Sequence, residues 1–121
     1  MRRLKKLVDE KLYRIAIMAE KAGRKSNSRF WLAFARELLR NREFRAEINL
    51  GQVSRLTSPG ETVVIPGKLL GDGEIEHPVR ISSISASSSA ISKLIKAGGE
   101  YVPIERLISE NPDGKKLKLL R

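Results

Sequence analysis

Apolar residues recur every three or four positions along the start of the chain, which is the spacing of one face of an α-helix. This pattern predicts an amphipathic helix that ends at Gly23. A second helix is predicted from about Arg29 to Arg40, with Asn27 or Ser28 as its N-cap. We expect the two helices to pack as a hairpin. The apolar stripe of the first helix consists of Leu4, Val8, Leu12, Ile15, Ala19 and Ala22.

Beyond Ala46 the spacing of apolar residues changes, and short β-branched or alternating runs predict strands. The dipeptide Pro66-Gly67 is expected to interrupt one of these runs, because proline cannot donate a hydrogen bond to a neighbouring strand. That interruption separates a buried strand from a second, shorter one. The predicted strands cover residues 47–49, 62–65, 68–70, 79–84, 101–102 and 117–120.

Short helices are predicted between these strands. Gly51 is expected to form a turn before a helix over residues 52–56. The serines from Ser87 to Ser89 can cap a helix that runs to about Ala97 and turns Ile95 inward. A further helix is predicted over residues 103–110.

This succession of elements predicts an α/β fold, in which a helical hairpin precedes a compact domain of short strands and helices. The chain has 121 residues, which is the length of a single domain. Within that domain we distinguish a basic helical part, residues 1–45, from an α/β core, residues 46–121.

Basic residues outnumber acidic ones by 24 to 14, which gives a net charge of +10. Residues 1–55 hold fifteen Lys and Arg and six Asp and Glu, so nearly all of the excess lies in that half. A basic surface that only faces solvent has no reason to concentrate its positive charge in one half of the chain. A surface that faces the phosphates of a nucleic acid has such a reason. The candidate phosphate contacts are Arg2, Arg3, Lys5, Lys6, Arg24, Lys25, Arg29, Arg40, Arg42, Arg45, Arg55, Lys115 and Lys116.

Aromatic residues make up 5% of the chain, and three of them lie in the second predicted helix. Phe30, Trp31 and Phe34 have the spacing of core residues there, so we expect them to be buried. Stacking platforms for single-stranded RNA are therefore not expected. This composition favours recognition of a folded RNA by its backbone and shape.

The sequence offers no convergent set of catalytic groups, so we predict no enzymatic activity, no metal and no cofactor. It contains no cysteine, and its one histidine, His77, precedes Pro78 in a predicted turn, where we expect it to be exposed and inert. The carboxylates from Asp72 to Glu76 lack the spacing of a calcium loop. Ser82 to Ser92 lacks the surroundings of a serine nucleophile and is better explained by helix capping.

Two alternatives remain from the residues alone. The Gly71-Asp72-Gly73 turn is a fragment of a phosphate-binding loop, which leaves open a small nucleotide-binding α/β enzyme. The amphipathic segment 1–22 leaves open binding to a membrane surface, although its mixed polar face favours core packing. We expect neither a membrane partner nor a small-molecule substrate.

Four segments resemble the large-subunit ribosomal protein eighteen-e family of archaea and eukaryotes. They occur in the family's order and spacing from about Phe30 to Arg121, and together they are specific. They are Glu47-Ile48-Asn49-Leu50-Gly51 followed by Val53, Thr62-Val63-Val64-Ile65-Pro66-Gly67-Lys68-Leu69-Leu70-Gly71-Asp72-Gly73, Ala97-Gly98-Gly99-Glu100, and Asn111-Pro112-Asp113-Gly114 through Leu120-Arg121.

The resemblance implies irregularly wound β-β-α units behind N-terminal helices, a fold similar to that of bacterial large-subunit protein fifteen. It also implies a structural role in the large ribosomal subunit, with ribosomal RNA and neighbouring ribosomal proteins as partners and a cytoplasmic, ribosome-bound location. A non-ribosomal RNA-binding module is the alternative. The motif positions that the resemblance adds to the candidate RNA contacts, with the glycines serving turns first, are Asn49, Gly51, Gly67, Lys68, Gly71 and Gly73.

Overall fold

The structure is a computed structural model that describes residues 10–40 and 46–121. The described residues form two compact units: a helical unit of residues 10–40 and 104–115, and a sheet unit of residues 46–103 and 116–121. In chain order the elements are α1 (Glu10–Lys25), α2 (Arg29–Leu38), β1 (Ala46–Asn49), α3 (Leu50–Leu56), β2 (Thr62–Leu70), β3 (Arg80–Ala86), α4 (Ser88–Lys96), β4 (Glu100–Tyr101), α5 (Ile104–Glu110) and β5 (Leu117–Leu119).

The helical unit is built on the predicted hairpin of α1 and α2, which pack against each other. Trp31 and Phe34 of α2 are fully buried, and their rings meet edge to face at a centroid distance of 5.5 Å. The core prediction for these two aromatic residues is confirmed, whereas Phe30 is half-buried. Of the stripe predicted for the first helix, Leu4 and Val8 lie outside the described residues.

The predicted end of the first helix at Gly23 is wrong, because α1 continues to Lys25. A Cβ at Gly23 would lie 2.8 Å from Cγ of Leu32, so glycine here allows the two helices to approach closely. The chain leaves the helix at Asn27, whose φ of 54° is left-handed. Ser28 is the N-cap residue of α2, but its side chain makes no capping hydrogen bond.

The sheet unit confirms the α/β class. Its five strands are paired in parallel throughout, in the order β1-β2-β3-β4, and β5 also pairs with β2. β5 lies beside the first residues of β2, Thr62–Val64, and β1 lies beside its last residues, Gly67–Leu70. The amino ends of β2, β3, β4 and β5 therefore meet at one end of the sheet, and the carboxyl ends of β1, β2 and β3 meet at the other.

The predicted interruption at Pro66-Gly67 is wrong, because β2 runs unbroken from Thr62 to Leu70. The strand accommodates the proline through a shift in its register with β3 between Ile65 and Lys68. Gly67 is buried, and a Cβ on it would overlap the backbone of Ala46 in β1. Glycine therefore permits the close approach of β1 at this point.

Local capping explains the helices that follow the strands. The hydroxyl of Ser87 accepts a hydrogen bond from the backbone N–H of Ala90 (3.2 Å), which confirms the serine run as a cap of α4. Leu94 of this helix is buried, but Ile95 is 60% exposed, so its predicted inward orientation is wrong. No helix in the described part of the chain is long and apolar enough to cross a membrane.

Candidate nucleic-acid interface

The segments that follow β1, β2 and β3 meet at one end of the sheet, because these strands are parallel and in register, with Asn49 opposite Leu70 and Leu69 opposite Ala86. We call this end the carboxyl rim and define it by residues 49–51, 71–76 and 87–89. Ligands of α/β proteins commonly bind at such a rim. It holds four of the sequence-predicted site residues, namely Asn49, Gly51, Gly71 and Gly73.

The glycines of the carboxyl rim make contacts within the protein. The backbone N–H of Gly51 donates to the carbonyl oxygen of Asp72 (3.0 Å). Gly73 has a φ of 80°, and a Cβ on it would lie 2.8 Å from Cα of Gly51. A Cβ on Gly71 would overlap the hydroxyl of Ser89. Gly73 is therefore needed for the turn and Gly71 for close packing, which agrees with the turn role expected for the glycines at these two positions.

Asn49 is the last residue of β1, as predicted, and also the N-cap residue of α3. Its backbone N–H donates to Oε1 of Gln52 (2.9 Å), which together with Asn49 forms a capping box. Gly51 consequently lies in the first turn of the helix, and the turn predicted there is wrong.

Lys93 of α4 contacts the carboxyl rim, and the sequence did not indicate this residue. Its ammonium group donates to the carbonyl oxygens of Gly71 (2.8 Å) and Gly73 (2.9 Å) and lies 3.5 Å from the carboxylate of Glu74. The phosphate-loop alternative required a turn with room for an anion. The Gly71–Gly73 turn is instead held by a cation from α4, with its carbonyl groups directed to that cation.

The rim also carries three exposed carboxylates, Asp72, Glu74 and Glu76. Arg55 lines a cleft with the last two of these residues and with Gly51 and Gly73. No group of three His, Cys, Asp or Glu side chains in the described ranges is placed to hold a metal ion. The acidic side chains repel a phosphate at this rim, so its charge does not resemble that of a nucleotide site.

His77 is half-buried, so the expectation of an exposed loop histidine is wrong. Its Nε2 lies 2.9 Å from the carbonyl oxygen of Thr57, and this geometry makes Nε2 the donor. The contact fixes the segment after the carboxyl rim to the end of α3. The role is structural, and sequence could not reveal it because the partner is a backbone atom twenty residues away.

Besides Lys115, the described part of the helical unit presents four of the predicted basic residues, all of them exposed: Arg24, Lys25, Arg29 and Arg40. Arg24 pairs with Glu20 (3.1 Å), and Arg40 pairs with Glu37 (3.1 Å). Ion pairs on the surface are weak, so such a pair does not prevent a guanidinium group from binding a phosphate. The first three residues flank the turn between α1 and α2 and form one basic patch, which we call the hairpin patch.

The remaining candidates are separate from the hairpin patch. Lys68 is exposed on β2, and Lys115 is exposed in the helical unit, where it lies 3.8 Å from the carboxylate of Asp113. Lys116 is exposed in the sheet unit. The candidates that lie outside the described residues are Arg2, Arg3, Lys5, Lys6, Arg42 and Arg45.

Comparison with known proteins decides the family. Residues 4–121 match the model of the family described as "Ribosomal protein 60S L18 and 50S L18e". The chain belongs to this family. It is similar to the large ribosomal subunit protein eL18 of Methanoregula boonei, with 32% identity over 121 residues and the full length of both chains. The protein of that name from Methanospirillum hungatei is 35% identical over 104 residues, or 86% of each chain. That from Methanopyrus kandleri is 39% identical over 106 residues, or 84% of each chain.

Proposed function

We propose that this protein is a structural constituent of the large ribosomal subunit and binds folded ribosomal RNA. The observation that carries the proposal is the match of residues 4–121 to a ribosomal protein family. Membership of that family also makes the role structural and not enzymatic. The same argument makes neighbouring ribosomal proteins its further partners and the ribosome in the cytoplasm its location.

Electrostatics support ribosomal RNA as the main partner. A net charge of +10 on 121 residues is unfavourable for an isolated compact chain, and RNA phosphates offset it. Arginine suits this task because its planar guanidinium group donates two parallel hydrogen bonds to one phosphate. The hairpin patch supplies two arginines and one lysine within six positions of sequence, Arg24, Lys25 and Arg29, all exposed.

The described basic residues of the proposed interface are the hairpin patch together with Arg40, Arg55, Lys68, Lys115 and Lys116. Six further basic residues, which lie outside the described residues, are included in the proposal because of their charge alone. They are Arg2, Arg3, Lys5, Lys6, Arg42 and Arg45. The motif positions contribute to the interface indirectly, because they fix the backbone of the sheet unit. They are Asn49, Gly51, Gly67, Gly71 and Gly73. In this proposal RNA recognition depends on phosphates and shape, because the aromatic rings of Trp31 and Phe34 are buried and cannot stack on bases.

The test is binding of the full chain to large-subunit ribosomal RNA from an archaeal relative, measured over a series of salt concentrations. The affinity should fall linearly on a double-logarithmic plot, with a slope of about 0.7–0.9 for each phosphate contact. Replacing Arg24, Lys25 and Arg29 with Ala should weaken binding and reduce that slope by about 2 to 3.

A matched control removes the same charge from the same unit at three exposed positions outside the proposed interface, Arg14, Lys21 and Arg36. This variant should retain most of the affinity and slope. Equal losses in both variants would mean that the hairpin patch makes no specific contact. Absence of binding by the unaltered chain at low ionic strength, or absence of the protein from purified large subunits, would overturn the proposed function.

A further inference from the structure

The two ends of the sheet differ in charge and in the freedom of their basic side chains. At the carboxyl rim, Lys93 is bound to carbonyl groups, and the three carboxylates of Asp72, Glu74 and Glu76 are exposed. At the opposite end the amino-terminal residues of β2, β3, β4 and β5 meet, with Thr62 opposite both Arg80 and Leu117. We call this end the amino rim.

A groove runs along the amino rim between two segments of the sheet unit. One side is formed by the turn before β2, Pro59 to Thr62, and the other by residues 116–118. Hydrogen bonds between backbone groups hold the turn in place, including Gly60 N–H to Pro78 oxygen (2.8 Å). Gly60 itself faces open space, with nothing within 4 Å of the position of a Cβ. The groove is therefore firmly built and accessible from solvent.

The charges in this groove are already paired, with one exception. Lys118 donates to the carbonyl oxygen of Leu56 (2.8 Å) and lies 3.5 Å from the carboxylate of Glu61. Glu61 also accepts a hydrogen bond from the backbone N–H of Ser58 (2.6 Å). Lys116 has no hydrogen-bond or ion-pair partner among the residues that the structure describes. It is the cation that remains for a ligand.

The backbone of Lys116 adds an independent observation. Its φ of 60° lies in the left-handed region, which side-chain-bearing residues rarely adopt. The only other described non-glycine residue with positive φ is Asn27, and asparagine tolerates this conformation better than lysine does. A strained backbone carrying an exposed, unpaired charge is typical of a position whose side chain contacts a ligand.

We propose that Lys116 and the groove at the amino rim bind a backbone phosphate of folded ribosomal RNA. This inference rests on the proposed function and makes it more specific, because it names one phosphate contact in the sheet unit. It also places an RNA contact of this unit at the end of the sheet opposite to the carboxyl rim with its three glycines, Gly51, Gly71 and Gly73. Lys116 directly precedes β5 and lines the groove.

The experiment compares three substitutions at one position in the full-length chain. Lys116→Gly removes the charge and relieves the backbone strain, Lys116→Asn removes the charge in a residue that accepts the left-handed conformation, and Lys116→Arg keeps the charge. Lys21→Ala, which removes one exposed charge from α1, is the control. Each protein is melted without RNA and titrated against the archaeal large-subunit ribosomal RNA at several salt concentrations.

We expect Lys116→Gly and Lys116→Asn to melt at or up to a few degrees above the unaltered protein. Both should bind the RNA several-fold more weakly, with a salt slope reduced by about 0.7–0.9. Lys116→Arg and Lys21→Ala should keep the affinity and slope. If the glycine and asparagine variants bind like the unaltered chain, the inference is wrong while the proposed function stands. If the unaltered chain does not bind, the proposed function itself fails.

Discussion

Trp31 and Asn111 are joined by a hydrogen bond across eighty positions of sequence. The indole Nε1 of Trp31 donates to the backbone carbonyl oxygen of Asn111 at 2.7 Å. The indole ring is fully buried, and it also contacts the rings of Phe30 and Phe34 edge to face. This one side chain therefore connects α2 with the turn that follows α5, both of which belong to the helical unit.

Trp31→Phe should destabilise the protein by about 1–3 kcal/mol. The substitution removes part of a buried ring and leaves the carbonyl oxygen of Asn111 without its donor, and both effects lower stability. The measurement is the free energy of unfolding in a denaturant titration. Phe30→Leu is the control, since Phe30 is half-buried and donates no hydrogen bond, and it should cost less. An equal or larger cost for Phe30→Leu would contradict the importance of the indole hydrogen bond.

Gly67→Ala should be among the most damaging single substitutions in the sheet unit, at a cost of roughly 2–4 kcal/mol. The added Cβ would overlap backbone atoms of Ala46, so β1 and β2 must separate locally. Gly60→Ala is the comparison, because there the Cβ meets only open space and the cost comes from a φ of 86°. That cost should be about 1–2 kcal/mol. Thermal unfolding of both variants checks the order, and a smaller effect at Gly67 would contradict it.

The local spacing of apolar residues was enough to predict the fold class and the existence of nearly all helices and strands, because the two kinds of element have different apolar spacings. It failed where tertiary contact overrode local preference. The pair Pro66-Gly67 signals a break, yet β2 continues through it, since neighbouring strands on both sides hold the segment in extended form. Likewise Gly23 looks like a helix end, although its small size serves the contact with Leu32.

The candidate site was less predictable than the fold. The basic residues of the hairpin patch were predicted from the sequence. They lie in the loop and on the polar faces of the helices, and such positions are exposed. The pairing of Lys93 with the carbonyls of Gly71 and Gly73 depends on how α4 returns across the sheet, which no local pattern contains. The left-handed backbone of Lys116 is similarly invisible in sequence, because lysine gives no signal for that conformation.

Lys93→Met should loosen the turn from Gly71 to Glu74 and cost about 1–2 kcal/mol, because two hydrogen bonds from a charged donor are lost. Methionine retains most of the aliphatic volume, so the change isolates the ammonium group. Amide hydrogen exchange should quicken in this turn relative to the rest of the sheet unit. Lys96→Met removes an exposed charge from the same helix and serves as the control. Unchanged exchange in the turn for Lys93→Met would show that its contacts with Gly71 and Gly73 do not hold it.

Glu61 should make the stability of the sheet unit depend on pH in the acidic range. The pKa of Glu61 is held below its ordinary value, mainly by the hydrogen bond from the backbone N–H of Ser58 and further by the charge of Lys118. Because the folded state favours the carboxylate, its contribution is present at pH values above about 4.3, the usual pKa of glutamate. It is lost as the pH falls through the lower pKa of the folded protein.

The melting temperature of Glu61→Gln should therefore lie below that of the unaltered protein at neutral pH, and the two should converge as the pH falls below about 4. Glutamine keeps the shape and can still accept from Ser58, so the difference reports the charge. Glu47→Gln removes an exposed carboxylate from β1 and controls for the loss of negative charge in a basic protein. A gap between the melting temperatures of Glu61→Gln and the unaltered protein that stayed constant from pH 7 to pH 3 would rule out a stabilising role of ionised Glu61, since a gap caused by its charge must close on protonation.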